Sequence, residues 1–319
     1  MFGSTYILIK RWPWVSSNEF IEPIFCGFCQ WAPKVPNKIF EQLSLKYVAR
    51  KIRKETGDPG QTPKTIENQR KKSETILEPE TAEQDRIEEV ERDIATDEFS
   101  SYFNKEYEPK ILLTSCTKDI KKKTRKFMIE LSRVIPNTTI YKRRDDKLKK
   151  IVPHAIDDGY SDIVVINENS QKPNGLLLIH LPDGPTANFR LSNVRTTKEM
   201  RKDHKLITEH RPEVILNNFT TRLGHSVARM LASIFHYDPE FKGRRVVTFH
   251  NQRDFIFFRH HIYWFKSGER CALRELGPRF TLKLQSLQMG TFDTKFGDYE
   301  WTMVEKRKEI EKNRRQFVL

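Results

Sequence analysis

The segment GPRFTLKLQSL (277–287) has a shortened copy, GPTANFRLSNV (184–194), about ninety residues earlier. Each opens on Gly-Pro and settles into Phe-x-Leu alternation. Phe189 and Leu191 therefore share one side of a strand, as do Phe280, Leu282 and Leu284. Two such copies point to a longer repeat. PKILLTS (109–115) lies over PEVILNN (212–218), and at the same offset TRKFMIELSRVIP (124–136) lies over VARMLASIFHYDP (227–239). IYKRRD (140–145) then matches VTFHNQRD (247–254), closing on Arg144-Asp145 and Arg253-Asp254. Each copy reads strand, helix, strand, further segments, then the Gly-Pro strand. This order constrains the chain to an α/β fold of two similar lobes.

Periodicity predicts strands at 110–115, 138–143, 161–167, 175–181, 187–193, 213–218, 245–250, 254–265, 271–276 and 280–288. Helices are predicted at 120–135, 147–158 and 223–236. Residues 105–300 form the folded region, with lobes at about 105–200 and 205–300. Before it come an unplaced segment, 1–36, with Trp12, Trp14 and Trp31, and a helical or extended stretch, 37–104. The latter carries a basic run at 39–55 and an acidic run at 78–98, and composition gives it no core of its own. Residues 301–319 form a basic tail, within which MVEKRKEIEKNRRQFVL (303–319) reads as an exposed basic helix.

Charge divides the chain at about residue 105. Beyond it stand 42 lysines and arginines against 26 acids; before it, 15 against 17, which together give the net +14. An excess of this size on one domain suggests a polyanionic partner. The cations gather at element ends. Lys121, Lys122, Lys123 and Arg125 open the first helix, and Arg143, Arg144, Lys149 and Lys150 join a strand to the second. In the second lobe, Arg222 and His225 start a helix, while Arg244, Arg245 and Arg253 flank a strand. Long cationic side chains at such ends can track phosphates. In DFIFFRHHIYWF (254–265), Phe255, Phe257 and Arg259 share one face and Phe258, His260 and Ile262 the other. Exposed aromatics beside Arg259 could stack on unpaired bases, but the pattern better fits a central strand buried on both sides.

Catalytic motifs are missing. No phosphate-cradling Gly-Lys-Ser/Thr loop, Gly-x-Gly-x-x-Gly or Gly-x-Ser-x-Gly occurs. Asp157, Asp158 and Asp162 flank Gly159-Tyr160 and read as a helix end and turn rather than a two-metal site. Cys26 and Cys29 make at most half a zinc site, and Cys116 and Cys271 are isolated. Catalytic residues, metal, cofactor and small-molecule substrate are therefore all expected to be absent. The longest apolar runs, such as GLLLIHL (175–181), are strand-sized, so no membrane span is expected. No secretory series opens the chain, and widely spaced cysteines fit a reducing compartment.

ILNNFTTRLGHSVARML (215–231), VTFHNQRDFIFFRHHIYWF (247–265) and GPRFTLKLQSLQMGTFD (277–293) together resemble the Brix-domain proteins of ribosome assembly, the last stretch matching that family's sigma-factor-like motif. PKTIENQR (63–70), ATDEFSSYFNKEYEPKILLTS (95–115) and PNGLLLIHLPDGPTANFRLSNVR (173–195) narrow the resemblance to its nucleolar large-subunit branch. It covers about residues 61–319 and implies two α/β halves related to the anticodon-binding domains of some aminoacyl-tRNA synthetases. It further implies a non-enzymatic role: binding pre-rRNA in early pre-60S particles beside a Mak-type assembly factor and other pre-60S proteins. Matched to family motifs, Arg222, His225, Arg253, Arg279 and Lys283 become implied contacts to RNA or partner. Residues 1–36 match nothing in the family, and only 39–55 resembles its basic N-terminal extension.

Overall fold

The computed structural model describes residues 63–71, 76, 92–93, 95–143, 146–200, 207–268, 270–293, 297–303 and 317–319. The readings of 1–36, of 39–55 and of most of the acidic run fall outside these residues, as do Cys26 and Cys29. The strands are β1 (Ile111–Ser115), β2 (Thr138–Tyr141), β3 (Asp162–Asn169), β4 (Lys172–His180), β5 (Thr186–Arg195), β6 (Glu213–Asn217), β7 (Arg245–Gln252), β8 (Phe255–Ser267), β9 (Arg270–Glu275), β10 (Arg279–Gln288) and β11 (Tyr299–Thr302). The helices are α1 (Ser100–Phe103), α2 (Lys122–Val134), α3 (Leu148–Asp157), α4 (Thr197–Met200) and α5 (Arg222–Ser233).

All the strands join one sheet in the order β2-β1-β3-β4-β5-β10-β8-β7-β6, with β11 on β10 and β9 on β8. The fold is thus mixed α/β, with a large sheet and few helices. One half runs β1 parallel to β3, then antiparallel to β4 and β5. The other runs β6 parallel to β7, then antiparallel to β8 and β10. The halves meet where β5 and β10, the two Gly-Pro strands, pair antiparallel. Their glycines, Gly184 and Gly277, both take positive φ (103° and 83°) before a cis proline.

The pairing corrects one block of the sequence alignment. IYKRRD supplies β2, at the outer edge beyond β1, whereas VTFHNQRD supplies β7, inside β6. In position along the sheet, β7 answers to β3. Both are followed by two-residue turns of left-handed residues, Ser170-Gln171 and Arg253-Asp254. These have the positive φ values that let a tight hairpin follow strand twist. Segment β2 and helix α3 stand outside the shared succession.

One core runs beneath both halves. Helix α2 carries Thr124, Phe127, Met128, Leu131 and Val134 at helical spacing, all buried. Helix α5 does the same with Val227, Met230 and Leu231. Both press on one face of the sheet, where Phe189, Leu282 and Phe258 fill the seam. Burying a side chain the size of Phe127 contributes roughly 1.5–3 kcal/mol. Helix α3 covers part of the opposite face, seating Leu148, Ile151 and Ala155 on Leu112, Ile163 and Val165.

Most of the tail's predicted helix, 304–316, lies outside the described residues. β11 pairs with β10, and Leu319 is buried. The backbone N–H groups of Val318 and Leu319 donate to the Asp254 carboxylate at 2.8 and 2.9 Å, and the Thr221 hydroxyl donates to Val318 O at 2.7 Å.

Candidate nucleic-acid interface

Strands β1, β2 and β3 are parallel, so their carboxyl ends, and the starts of α2 and α3, share one end of the sheet. Lys121, Lys122, Arg125, Lys149 and Lys150 are all exposed there. The α2 N-terminus is already occupied: the Lys121 N–H donates to Glu168 at 3.0 Å. The lysine side chains, rather than the bare helix end, are therefore what this edge offers an anion. Lys123 pairs with Glu199 at 3.1 Å and Lys149 with Asp293 at 3.4 Å. Arg143 is half-buried and donates to Asp146 O at 2.7 Å. Arg144 lies outside the described residues.

The second set does not join the first. Five antiparallel pairings separate β3 from β7, so the carboxyl ends of β6 and β7 point the opposite way. Arg222, His225 and Arg253 lie at that end, with Arg253 paired to Glu67 at 2.8 Å. Burial, reinforced by the Arg229 charge, pulls the His225 pKa down and favours the neutral ring. Arg244 is exposed, in a left-handed conformation just before β7.

Arg245 is a correction. It is only 2 % exposed, and its guanidinium is spent inside the protein. It donates to Thr208 O and His210 O at 2.5 Å, Arg133 O at 3.1 Å, Val134 O at 3.3 Å and the His260 Nε2 at 3.2 Å. This side chain holds the fold and cannot reach a phosphate.

Strand β8 also departs from its reading. Ile256, Phe258 and His260 are buried, but Phe255 is exposed and Phe257 and Arg259 are half-buried. Only one face is core. The other lies beside Arg190, Arg279 and Lys283, and Arg279 forms an ion pair with Glu275. Arg190 carries no RNA reading in the sequence, although it alternates with the core residues Phe189 and Leu191 along its strand.

Among the described residues no group of three or more His, Cys, Asp or Glu could hold a metal, and no helix is long and apolar enough to cross a membrane. Asp157 ends α3 and Asp158 follows it, as the helix-end reading required. Asp162 is buried and lies 2.7 Å from His180 Nδ1. Cys116 and Cys271 are free and exposed.

Residues 117–286 match the family model described as "Brix domain". The chain is 56% identical over 261 residues to "Ribosome production factor 1" of Xenopus laevis, covering 82% of this chain and 74% of that protein. It is 53% identical over 279 residues to "Probable ribosome production factor 1" of Drosophila melanogaster, covering 87% and 70%. The solved structure described as a probable ribosomal biogenesis protein from Aeropyrum pernix K1 matches at 16% identity and TM-score 0.42, over 55% of this chain and 96% of that one. The chain belongs to the Brix domain family.

Proposed function

We propose that this protein is a non-catalytic, pre-rRNA-binding assembly factor of the large (60S) ribosomal subunit. In this reading it works in the nucleolus beside a Mak-type assembly factor and other pre-60S proteins. A role in ribosome assembly is supported by the two relatives, which are named ribosome production factors. The observation that carries RNA binding is the exposed cationic edge at the carboxyl ends of β1–β3, where α2 presents Lys122 and Arg125 and α3 presents Lys149 and Lys150. The matched pairing of the two half-sheets supports reading them as copies of one unit of the anticodon-binding type, with β2 and α3 added to the first.

Titration of folded large-subunit rRNA fragments at several salt concentrations tests this. Each phosphate neutralised adds roughly 0.7–0.9 to the slope of log affinity against log salt. Changing Lys122, Arg125, Lys149 and Lys150 to Glu is expected to flatten that slope by up to about 3, on the same principle. Binding that is insensitive to salt and to these substitutions would make the protein a protein-only adaptor instead.

A further inference from the structure

We propose that the sheet face opposite α2 and α5, where β5, β10 and β8 lie side by side, binds a short unpaired RNA segment. Phe255 and Phe257 stack on its bases, and Arg190, Lys283 and Arg259 hold its phosphates. The proposal rests on the RNA-binding reading above and gives it a second, separate surface.

Alternation places these residues. Phe189, Leu282 and Ile256 point into the core, so Arg190, Lys283 and Phe255 point away from it. Register then aligns them. Asn167 pairs with Gly175, Gly175 with Arg190, Arg190 with Lys283, and Phe255 with Gln252. Lys283 Nζ lies 4.9 Å from the Phe255 ring centroid, closing the row between β10 and β8. Five strand spacings make this row about 24 Å long. One step along the strands, Ser192, Thr281, Phe257 and His250 form a parallel row.

Three observations select an unpaired strand as occupant. Phe255 is 39% exposed on the face away from α2 and α5, a position that serves stacking better than packing. Each ring has a cation beside it: Lys283 over Phe255, and Arg259 over Phe257 at 5.7 Å. A base laid on either ring would bring its phosphate within reach of that cation. Arg190 and Asn188 are exposed on the same face, while the acids are outnumbered: Glu275 pairs with both Arg279 and Arg259, and Glu67, beside Gln252, pairs with Arg253. The local balance therefore favours a polyanion. A duplex keeps its base faces stacked and cannot offer them to side chains; unpaired bases can. The row also links the two cationic ends, since Asn167 borders the groove lined by Arg143, and Gln252 precedes Arg253.

The test uses the full chain, a short fluorescent oligouridylate and a hairpin duplex as competitor. Phe255→Leu with Phe257→Leu retains apolar bulk, and thermal melting verifies the fold. Stacking predicts an affinity for the oligouridylate reduced about tenfold or more, with duplex binding unchanged. Independently of any variant, 4-thiouridine in the oligomer should photocrosslink the wild-type protein at Phe255–Arg259. Unchanged oligouridylate affinity, with crosslinks confined to the starts of α2 and α3, would overturn the sheet-face site and leave the RNA-binding reading standing. Failure of the wild-type protein to bind either RNA would overturn both. Crosslinking of Lys283 to a protein in assembly particles, without protection by RNA, would assign the face to a protein partner and also overturn the proposal.

Discussion

Replacing Arg245 with Met is expected to destabilise the protein by about 3–5 kcal/mol, because a buried acceptor left without its donor costs about 1–3 kcal/mol and several are left at once. For a domain this size, that lowers the melting temperature by roughly 10 °C. The guanidinium supplies N–H donors to the carbonyls of Thr208, His210, Arg133 and Val134, and all four lose that donor in the variant. Arg133 and Val134 end α2, where unsatisfied carbonyls and the helix dipole both favour a cation. One side chain therefore joins the helix of the first half to β7 of the second. Burial pulls the Arg245 pKa down to about 10, which still leaves it protonated at neutral pH. Lysine carries the charge without the planar fork, so Arg245→Lys should recover only a minor part of the loss.

The same network sets an acid limit. His260 donates from Nδ1 to Gly277 O at 2.7 Å and accepts from Arg245 at Nε2, an arrangement that requires a neutral ring. Burial, and then the Arg245 charge, push its pKa down from 6.5 to about 3. The unfolded chain therefore binds the proton more readily than the folded one. Stability is fully present above about pH 6.5 and falls as pH drops toward 3. Melting curves from neutral pH downward check this: a temperature that stays level between pH 6.5 and 4 would contradict the neutral, buried assignment.

The second large effect falls at the repeated Gly-Pro turns. Gly184→Ala is expected to cost about 3 kcal/mol, combining left-handed strain with overpacking. A Cβ on Gly184 would stand 2.4 Å from the Gly290 carbonyl carbon and oxygen, which are backbone atoms with little room to yield. On Gly277 it would first meet Met200 Cε at 2.4 Å, the tip of a flexible side chain that can move aside. Both glycines have positive φ, so both substitutions are unfavourable, but Gly184→Ala should be the worse. Denaturant melts of the two single variants settle the order; equal losses would mean that the Gly290 backbone gives way more easily than its packing indicates.

How far the sequence reveals this molecule depends on the range of the interactions involved. Strands such as β5 and β10 are legible because period-two alternation is local, and α2 because its apolar positions recur at helical spacing. β11 was missed: Tyr299–Thr302 is four residues long, with only Trp301 buried. The turn at Ser170-Gln171 lacks the glycine or asparagine that would mark it, and the misassigned counterpart of β7 followed from the same gap. Arg245 looks like its exposed neighbour Arg244 because its carbonyl partners come from 35 to 112 residues away. The separation of the cations into two ends depends on counting antiparallel pairings across the sheet, and no local pattern carries that count. Strand β8 shows the same limit: alternation sorts its residues into two faces, but only the sheet order reveals that α5 covers one of them.

The most direct test of the central claim is crosslinking of the tagged protein to RNA in cells, with reads mapped along the pre-rRNA. The account predicts dense crosslinks in a confined large-subunit region, depleted when Lys122, Arg125, Lys149 and Lys150 become Glu. Crosslinks no denser than those of an untagged control would contradict it.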